Sequence, residues 1–272
     1  MDFSSVIDEK IISSVSVSGG GIGSSFRVKT ERHEYFVKHY SRTGLSGREA
    51  HGLREMAASK TVKVPEVVNF DEHFLVLKFL GQASRCGDFQ GRLGRELARM
   101  HRITSGQFGF YEDNFIGSNP QINNYKDSWL EFYLENRLDF QVELTGDREV
   151  ADAYIKLCAK VPELLASSSE EPSLIHGDLW GGNVISGPGG EPVLIDPAVY
   201  YGHREAELGM TQLFGGFTNE FYSAYDDEYP LKKGWRSRLD LYKLYHVLNH
   251  MNMFGSGYKL QALRLMNGYL NT

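Results

Sequence analysis

The sequence predicts an α+β chain of two unequal lobes, a small β-rich N-terminal lobe over residues 1–80 and a larger, mostly helical C-terminal lobe over residues 81–272 with a short hairpin inside it. Three observations carry this expectation. Short alternating runs bounded by turn residues dominate before Gly81, apolar spacings of three and four take over after it, and strand-sized apolar runs return between Leu174 and Ile195. The length of 272 residues fits two lobes or one large domain at about 150 residues per domain.

Taken in order, a short polar helix is expected around Phe3 to Ile12, followed by the small-residue run Ser18-Gly19-Gly20-Gly21-Ile22-Gly23-Ser24-Ser25. Phe26 to Lys29 and Tyr35 to His39 flank a polar connection and read as a β-hairpin. Leu45, Ala50, Leu53, Met56 and Ala57 fit a helix over Ser46 to Ser59, and Phe74 to Phe79 reads as a largely buried strand. Beyond Gly81, a hinge candidate, Phe89, Leu93, Leu97, Met100 and Ile103 share one helix face, with Asp88 placed as the N-cap. Helices are expected over Tyr125 to Leu144 and Arg148 to Leu165, and the Ser- and Glu-rich run 166–172 is a surface loop. Leu174-Ile175, Val184-Ile185 and Val193-Leu194-Ile195 read as strands, the last two joined through Gly187-Pro188-Gly189-Gly190. Helical patterns run from about Glu205 to the C-terminus, broken near Pro230 and Gly255.

Composition narrows the function. Hydrophobic residues at 41% and charged residues at 24% are ordinary for a folded globular chain. A formal charge of −6 has the wrong sign for a protein that grips a nucleic-acid backbone. Cys86 and Cys158 are too few for a disulfide framework, and no apolar run suggests a membrane span, so a cytoplasmic setting is expected. His246 and His250 stand four apart, but with no third ligand nearby they read as core or capping residues. Tyr125, Trp129, Phe132 and Tyr133 read as core packing.

The chemistry concentrates in Leu174-Ile175-His176-Gly177-Asp178-Leu179-Trp180-Gly181-Gly182-Asn183, followed after the hairpin by Ile195-Asp196. An apolar strand delivers an Asp into a tight loop, an Asn follows five positions later, and another strand ends in a second Asp. This places three polar groups at one sheet edge. Phosphoryl transfer to an alcohol needs such a set: a carboxylate to take the hydroxyl proton, and an amide oxygen with a second carboxylate to hold Mg²⁺ against a polyphosphate. The spacing of Asp178 and Asn183 matches the H-x-D-x-x-x-x-N pattern of that chemistry. Upstream, Gly19, Gly20, Gly21 and Gly23 free backbone N–H groups for a phosphate, although the run does not complete G-x-G-x-x-G and a plain hairpin turn explains it as readily. Lys38 ends a strand and Glu49 follows on the next helix, a pair suited to hold an ammonium beside α- and β-phosphates. Trp180, two residues after Asp178, is expected to wall the acceptor pocket, with core packing as the alternative.

These residues resemble the fructosamine kinase (ketosamine 3-kinase) family over nearly the whole chain, and that family is similar in fold to protein kinases and aminoglycoside phosphotransferases. The resemblance rests on His176 to Asn183 with its Trp-Gly-Gly, on Phe108-Gly109-Phe110, Asp113 to Gly117 and Pro120-Gln121, and on Tyr201 to Glu205 leading to Leu213 to Phe217. It implies a protein-kinase-like fold and ATP and Mg²⁺ as cofactors. By the same resemblance Asp178 is the base, Asn183 and Asp196 are the metal ligands, and Lys38 with Glu49 positions the phosphates beneath the Gly19 to Gly23 loop. The segment containing Lys78 and Leu80 is implied to contact adenine through its backbone; Lys78 stands where relatives often carry an acidic residue. The implied reaction phosphorylates the 3-hydroxyl of a fructosamine, ribulosamine or erythrulosamine, free or on the lysines of glycated proteins, as a deglycation repair step. From the residues themselves, the short passage after Asp196 leaves no room for a long activation loop, which suits a small, mobile acceptor. Two other readings stay open: a kinase for an aminoglycoside, choline or sugar, and a non-catalytic nucleotide-binding module.

Overall fold

The computed structural model describes residues 1–17 and 23–270. Gly19, Gly20 and Gly21 of the predicted phosphate loop lie outside the described residues, whereas Gly23 lies within them.

The N-terminal region is an antiparallel sheet of β1 (Ile11–Val17), β2 (Ser24–Thr30), β3 (Glu34–His39), β4 (Val67–Phe70) and β5 (Phe74–Lys78), ordered β1-β2-β3-β5-β4, with α1 (Leu45–Ser59) against it. Side chains alternate across a strand, and β3 shows what that alternation does here. Tyr35 and Val37 face a small core with Phe3, Val6, Ile7, Val28 and Val76. Phe36 faces the opposite core with Tyr40, Leu45, Ala50, Leu53, Leu75 and Leu77, so Lys38, in step with Phe36 and Tyr40, is delivered toward α1.

The expected helix at Phe3 to Ile12 is not formed. Val6 and Ile7 both donate to Phe3 O, a single turn that plugs one face of the sheet, after which the chain extends into β1. Phe3, Val6 and Ile7 form a buried plug rather than part of a polar helix, and β1, nearly all of it exposed, lacks the alternation that marks a strand in sequence. β4, four residues long with an irregular register, escaped for the same reason.

The C-terminal region is built on one large core. It begins with α2 (Phe89–Met100) and the two-stranded pair β6 (Asn114–Ile116) and β7 (Asn119–Gln121). Asp88 sits at the N-cap position of α2 without a capping hydrogen bond, because its carboxylate instead meets Arg95. The predicted helix from Tyr125 starts later, as α3 (Trp129–Tyr133), and continues through a π-helical turn at Leu134–Asp139 into α4 (Phe140–Thr145). Trp129, Phe132 and Tyr133 are buried as expected, but Tyr125 is exposed. The next predicted helix divides into α5 (Arg148–Cys158) and α6 (Val161–Leu165).

β8 (Ser173–Ile175) leads to the predicted catalytic loop, β9 (Val184–Ser186) and β10 (Pro192–Leu194) form the predicted hairpin, and β11 (Tyr200–Gly202) follows Asp196. β8 pairs with β11 and β9 with β10, so the three polar groups do not share one sheet edge. They meet because β11 returns antiparallel beside β8, laying residues 196–199 against residues 176–178. The fold closes with α7 (Arg204–Leu213), α8 (Asn219–Glu228), α9 (Trp235–Phe254) and α10 (Lys259–Leu270). The unpredicted break between α7 and α8 falls at Gly215 and Gly216, both with positive φ. No helix among the described residues is long and apolar enough to cross a membrane.

α2 approaches α8 so closely that a Cβ on Gly94 would stand 2.3 Å from Phe221 O. Alanine favours a helix over glycine by about 1 kcal/mol, but forcing atoms into packed backbone costs about 1–3 kcal/mol, and a backbone oxygen cannot swing away. Gly94→Ala is therefore expected to lower the thermal midpoint, by several degrees at about 2–4 °C per kcal/mol, as differential scanning calorimetry would measure. An unchanged or raised midpoint would contradict the close approach.

Candidate active site

β8 ends at Ile175, and the chain turns through His176 and Gly177 to present Asp178. The turn is tight: Gly177 has φ +81°, and a Cβ there would lie 2.0 Å from Ala198 O. The fully buried His176 ring braces the loop from within. Its Nε2 donates to Ile195 O at 2.9 Å, and its Nδ1 accepts from the Asp178 N–H at 3.2 Å. Burial lowers its pKa, keeping the imidazole neutral in that tautomer. Ala198 N donates to His176 O at 2.8 Å, and Ile195 N to Asn183 O at 3.1 Å.

Asp178 is partly exposed at the end of this scaffold. The Asn183 Nδ2 donates to Asp178 O at 2.8 Å and to Asp178 Oδ2 at 3.3 Å, which leaves Asn183 Oδ1 as the oxygen a cation can take. Burial, and then the charges of Glu207 and Asp196, push the Asp178 carboxyl well above the ordinary range, against the Asn183 hydrogen bond.

Asp196 stands after β10 in left-handed backbone, φ +57°, and its carboxylate contacts the Lys38 ammonium. Lys38 Nζ also donates to Glu49 Oε1 at 2.7 Å, while the Tyr40 hydroxyl donates to the other Glu49 oxygen. Burial works against the ammonium, but Glu49, Tyr40 and Asp196 outweigh it and hold the Lys38 pKa well above its usual value. The structure thus brings together Asp178, Asn183, Asp196, Lys38 and Glu49, residues drawn from both regions of the chain.

Trp180 is 39% exposed, and its indole lies over Gly182, where a Cβ would fall 2.2 Å from Cη2. It meets Phe214 edge-on at 6.2 Å, and Phe214 in turn meets His250 at 4.8 Å. Trp180 is therefore not a core residue. Gly23 sits where a Cβ would be 2.4 Å from His39 O, so here glycine permits close packing against the end of β3. The Lys78 side chain is exposed and turned to Glu66 at 3.4 Å, and its backbone N–H donates to Glu66 O. Phe79 N–H donates to Glu34 O.

Sequence reasoning missed Glu207. From α7 its buried carboxylate accepts the backbone N–H of His176 and, at 3.1 Å, that of Gly177, tying the catalytic loop to the helical core. Its Oε2 is also 3.7 Å from Nε2 of the buried His101. A Glu in an amphipathic helix gives no sign in sequence that it accepts from a distant loop; a carboxylate among Ala206, Leu208 and Gly209 was the only hint.

No group of three or more His, Cys, Asp and Glu suited to hold a metal occurs among the described residues. Asp196 and Asn183 offer two hard oxygen donors, which fits Mg²⁺, a cation bound through one or two protein oxygens with the remainder from phosphates and water. A partly exposed carboxylate, two hard oxygen donors and a buried Lys–Glu pair, on a sheet-plus-helical fold, fit a phosphotransferase acting on a hydroxyl group.

Comparison with known proteins agrees. The fructosamine kinase family profile matches residues 4–272. The chain is 42% identical over 274 residues to a chloroplastic protein-ribulosamine 3-kinase of Oryza sativa subsp. japonica, covering 96% of this chain and 80% of the relative. A solved structure of a candidate fructosamine-3-kinase from Thermobifida fusca superimposes with a TM-score of 0.90 at 29% identity, covering 99% of this chain and 97% of that one. An aminoglycoside phosphotransferase, APH(4)-Ia, shares the fold at 15% identity, with a TM-score of 0.65 and coverage of 96% and 94%. The chain belongs to the fructosamine kinase family.

Removing the Glu207 carboxylate strands two buried N–H groups, each costing about 1–3 kcal/mol when unpaired. Glu207→Ala is expected to lose thermal stability and phosphotransfer together, whereas Glu207→Gln, which retains one acceptor oxygen, loses less of both. Equal behaviour of the two variants in calorimetry and turnover would show that the carboxylate does not hold the loop.

Proposed function

We propose that this protein transfers the γ-phosphoryl group of Mg-ATP to the 3-hydroxyl of a ketosamine, a sugar joined through a ketoamine linkage to an amine such as a lysine side chain. The observation that carries the reading is the junction of Asp178, Asn183 and Asp196 with the buried Lys38–Glu49 pair. Family membership and the ribulosamine 3-kinase named among the relatives support it.

In this reading the Asp178 carboxylate orients the acceptor hydroxyl and takes its proton as the oxygen attacks the γ-phosphorus; the bond to the β,γ-bridging oxygen breaks and ADP departs with its electron pair. Asn183 Oδ1 and the Asp196 carboxylate would hold Mg²⁺, which would supply charge neutralisation along the polyphosphate. Lys38, held by Glu49, contacts the α- and β-phosphates. The two lobes divide near Gly81, and the adenine contact falls to the main chain around Leu80, because the Lys78 and Phe79 N–H groups already donate to Glu66 and Glu34. The Lys78 side chain, turned to Glu66, takes no part.

Trp180 walls the acceptor pocket, backed by Phe214 and His250. Only residues 197–203 separate Asp196 from α7, which leaves the approach to Asp178 free for a small acceptor, alone or on a flexible lysine of a glycated protein. The 3-phosphorylated adduct then breaks down without enzyme and frees the amine.

Mass detection of sugar phosphorylation, with ribulose-, erythrulose- and fructose-lysine set against an aminoglycoside, choline and a free sugar, tests the reading. Transfer to a ketosamine is expected. Transfer only to the other alcohols, or Mg-ATP binding without any transfer, would replace it. Loss of a general base costs about 10²–10⁴-fold, so Asp178→Ala is expected to remove the product signal while ATP binding persists. Trp180→Ala is expected to raise the acceptor KM and leave the ATP KM in place; an unchanged acceptor KM would remove Trp180 from the pocket.

A further inference from the structure

Helix α1 presents two faces with different partners. Leu45, Glu49, Leu53 and Met56 recur at helical spacing toward the interior, and Glu49 on that stripe reaches Lys38. Arg48, Gly52 and Glu55 form a second stripe at i, i+4 and i+7, and every member of it meets the C-terminal region. Glu55 Oε1 accepts from the Tyr201 hydroxyl at 2.9 Å. Gly52 lies where a Cβ would touch Val199 at 3.3 Å and Pro197 at 3.4 Å. At the N-terminal end, Glu112 takes the Arg48 guanidinium on one oxygen and His51 Nδ1 at 2.8 Å on the other.

Glu112 is itself well fixed. Its carboxylate is largely buried, and its backbone oxygen accepts from Asn123 Nδ2 at 3.1 Å. Asn123 Oδ1 accepts from the buried Arg137 at 2.7 Å, and Asn123 Nδ2 also donates to Asn114 Oδ1 at 3.1 Å. Asn114 donates to Val199 O at 2.7 Å, and Gln121 to Ala198 O at 2.9 Å. One buried polar network therefore holds both Glu112 and the segment that follows Asp196. Arg48 and His51 lie one residue before and two residues after Glu49. A slide or roll of α1 that parts Glu49 from Lys38 must also pull Arg48 and His51 off Glu112.

We propose that Glu112 is a positioning residue for phosphoryl transfer: by clamping Arg48 and His51 it fixes the height and roll of α1, and through them the Glu49 carboxylate that aims Lys38. The helix is held by contacts to the C-terminal region at Glu112, Val199 and Tyr201. The inference rests on the reading of Lys38 and Glu49 as the phosphate-positioning pair.

Half-exposed ion pairs add little to stability, whereas a small misplacement of a catalytic group costs up to about 100-fold in rate. The clamp should therefore register in turnover more than in the thermal midpoint. The test is a double-mutant cycle on the full chain with Mg-ATP and a ketosamine acceptor, using Glu112→Ala, Glu49→Ala and the double variant. Glu112→Ala is expected to lower kcat about 10-fold, with the acceptor KM within about twofold and the midpoint nearly unchanged. In the Glu49→Ala background the same change is expected to cost less than about twofold, because coupled residues are not additive. If the alanine variant does not fold, Glu112→Gln, which keeps an oxygen for His51 but drops the charge facing Arg48, is expected to lower kcat several-fold at an unchanged midpoint. An unchanged kcat, an undiminished loss in the Glu49→Ala background, or a loss that tracks the midpoint would overturn the proposal. If Glu49→Ala itself leaves turnover intact, the Lys38–Glu49 reading falls, and this inference falls with it.

Discussion

The buried ammonium of Lys38 is the constraint around which the structure is arranged. A desolvated cation is tolerated only with its charge answered at short range, and here the answers come from Glu49 on α1 and Asp196 in the C-terminal region. One side chain thus binds sheet, helix and catalytic segment to a common point. A buried ion pair is poor evidence for stability, since desolvation consumes most of the Coulombic gain. Its value in this protein is positional: it sets where a positive charge sits relative to Asp178 and Asn183.

The catalytic loop obeys a second constraint, that buried backbone N–H and C=O groups must be paired. A loop of His, Gly and Asp pairs one of its own amides, that of Asp178 with the His176 ring, and the surroundings take the others. Glu207 takes two N–H groups, His176 takes a third through Nδ1, and Ala198 donates to the His176 carbonyl. Glu207 belongs to α7 and Ala198 to the turn after β10, which makes the position of Asp178 depend on both at once. The β8–β11 pairing does the coarse placement, and these side-chain bonds the fine one.

Candidate residues whose placement follows from local order were legible in the sequence. Asp178 and Asn183 share one loop with fixed spacing, Lys38 follows from the alternation of a single strand, and Glu49 falls on the stripe Leu45–Leu53–Met56, where a charge has no place unless it is paired. α2 was legible too, because amphipathic periodicity over three turns is hard to mimic. What escaped depended on partners far along the chain. Glu207 and Glu112 look like surface carboxylates until the residues facing them are known. β1 is exposed almost throughout, β6 and β7 are three residues each, and the residues mistaken for an N-terminal helix are apolar because they plug the sheet. The expected single sheet edge failed similarly: strand partners are a long-range choice, and β8 takes β11 rather than the hairpin beside it.

Backbone conformation supplies an independent sign of where the chemistry lies. Among the described residues, Lys60 and Asp196 are the non-glycine residues at positive φ. Lys60 ends α1 as its C-cap, an ordinary place for left-handed backbone. Asp196 ends no helix; it follows β10, where the chain would otherwise run straight on. The left-handed turn is what sends the carboxylate back to Lys38 and the next residues into contact with His176 and α1. Such a conformation costs on the order of 1–3 kcal/mol and persists only when its surroundings determine it. Here the Ile195–Asn183 and Ala198–His176 hydrogen bonds grip the chain on both sides of the turn, so the strain falls on the residue whose carboxylate meets Lys38.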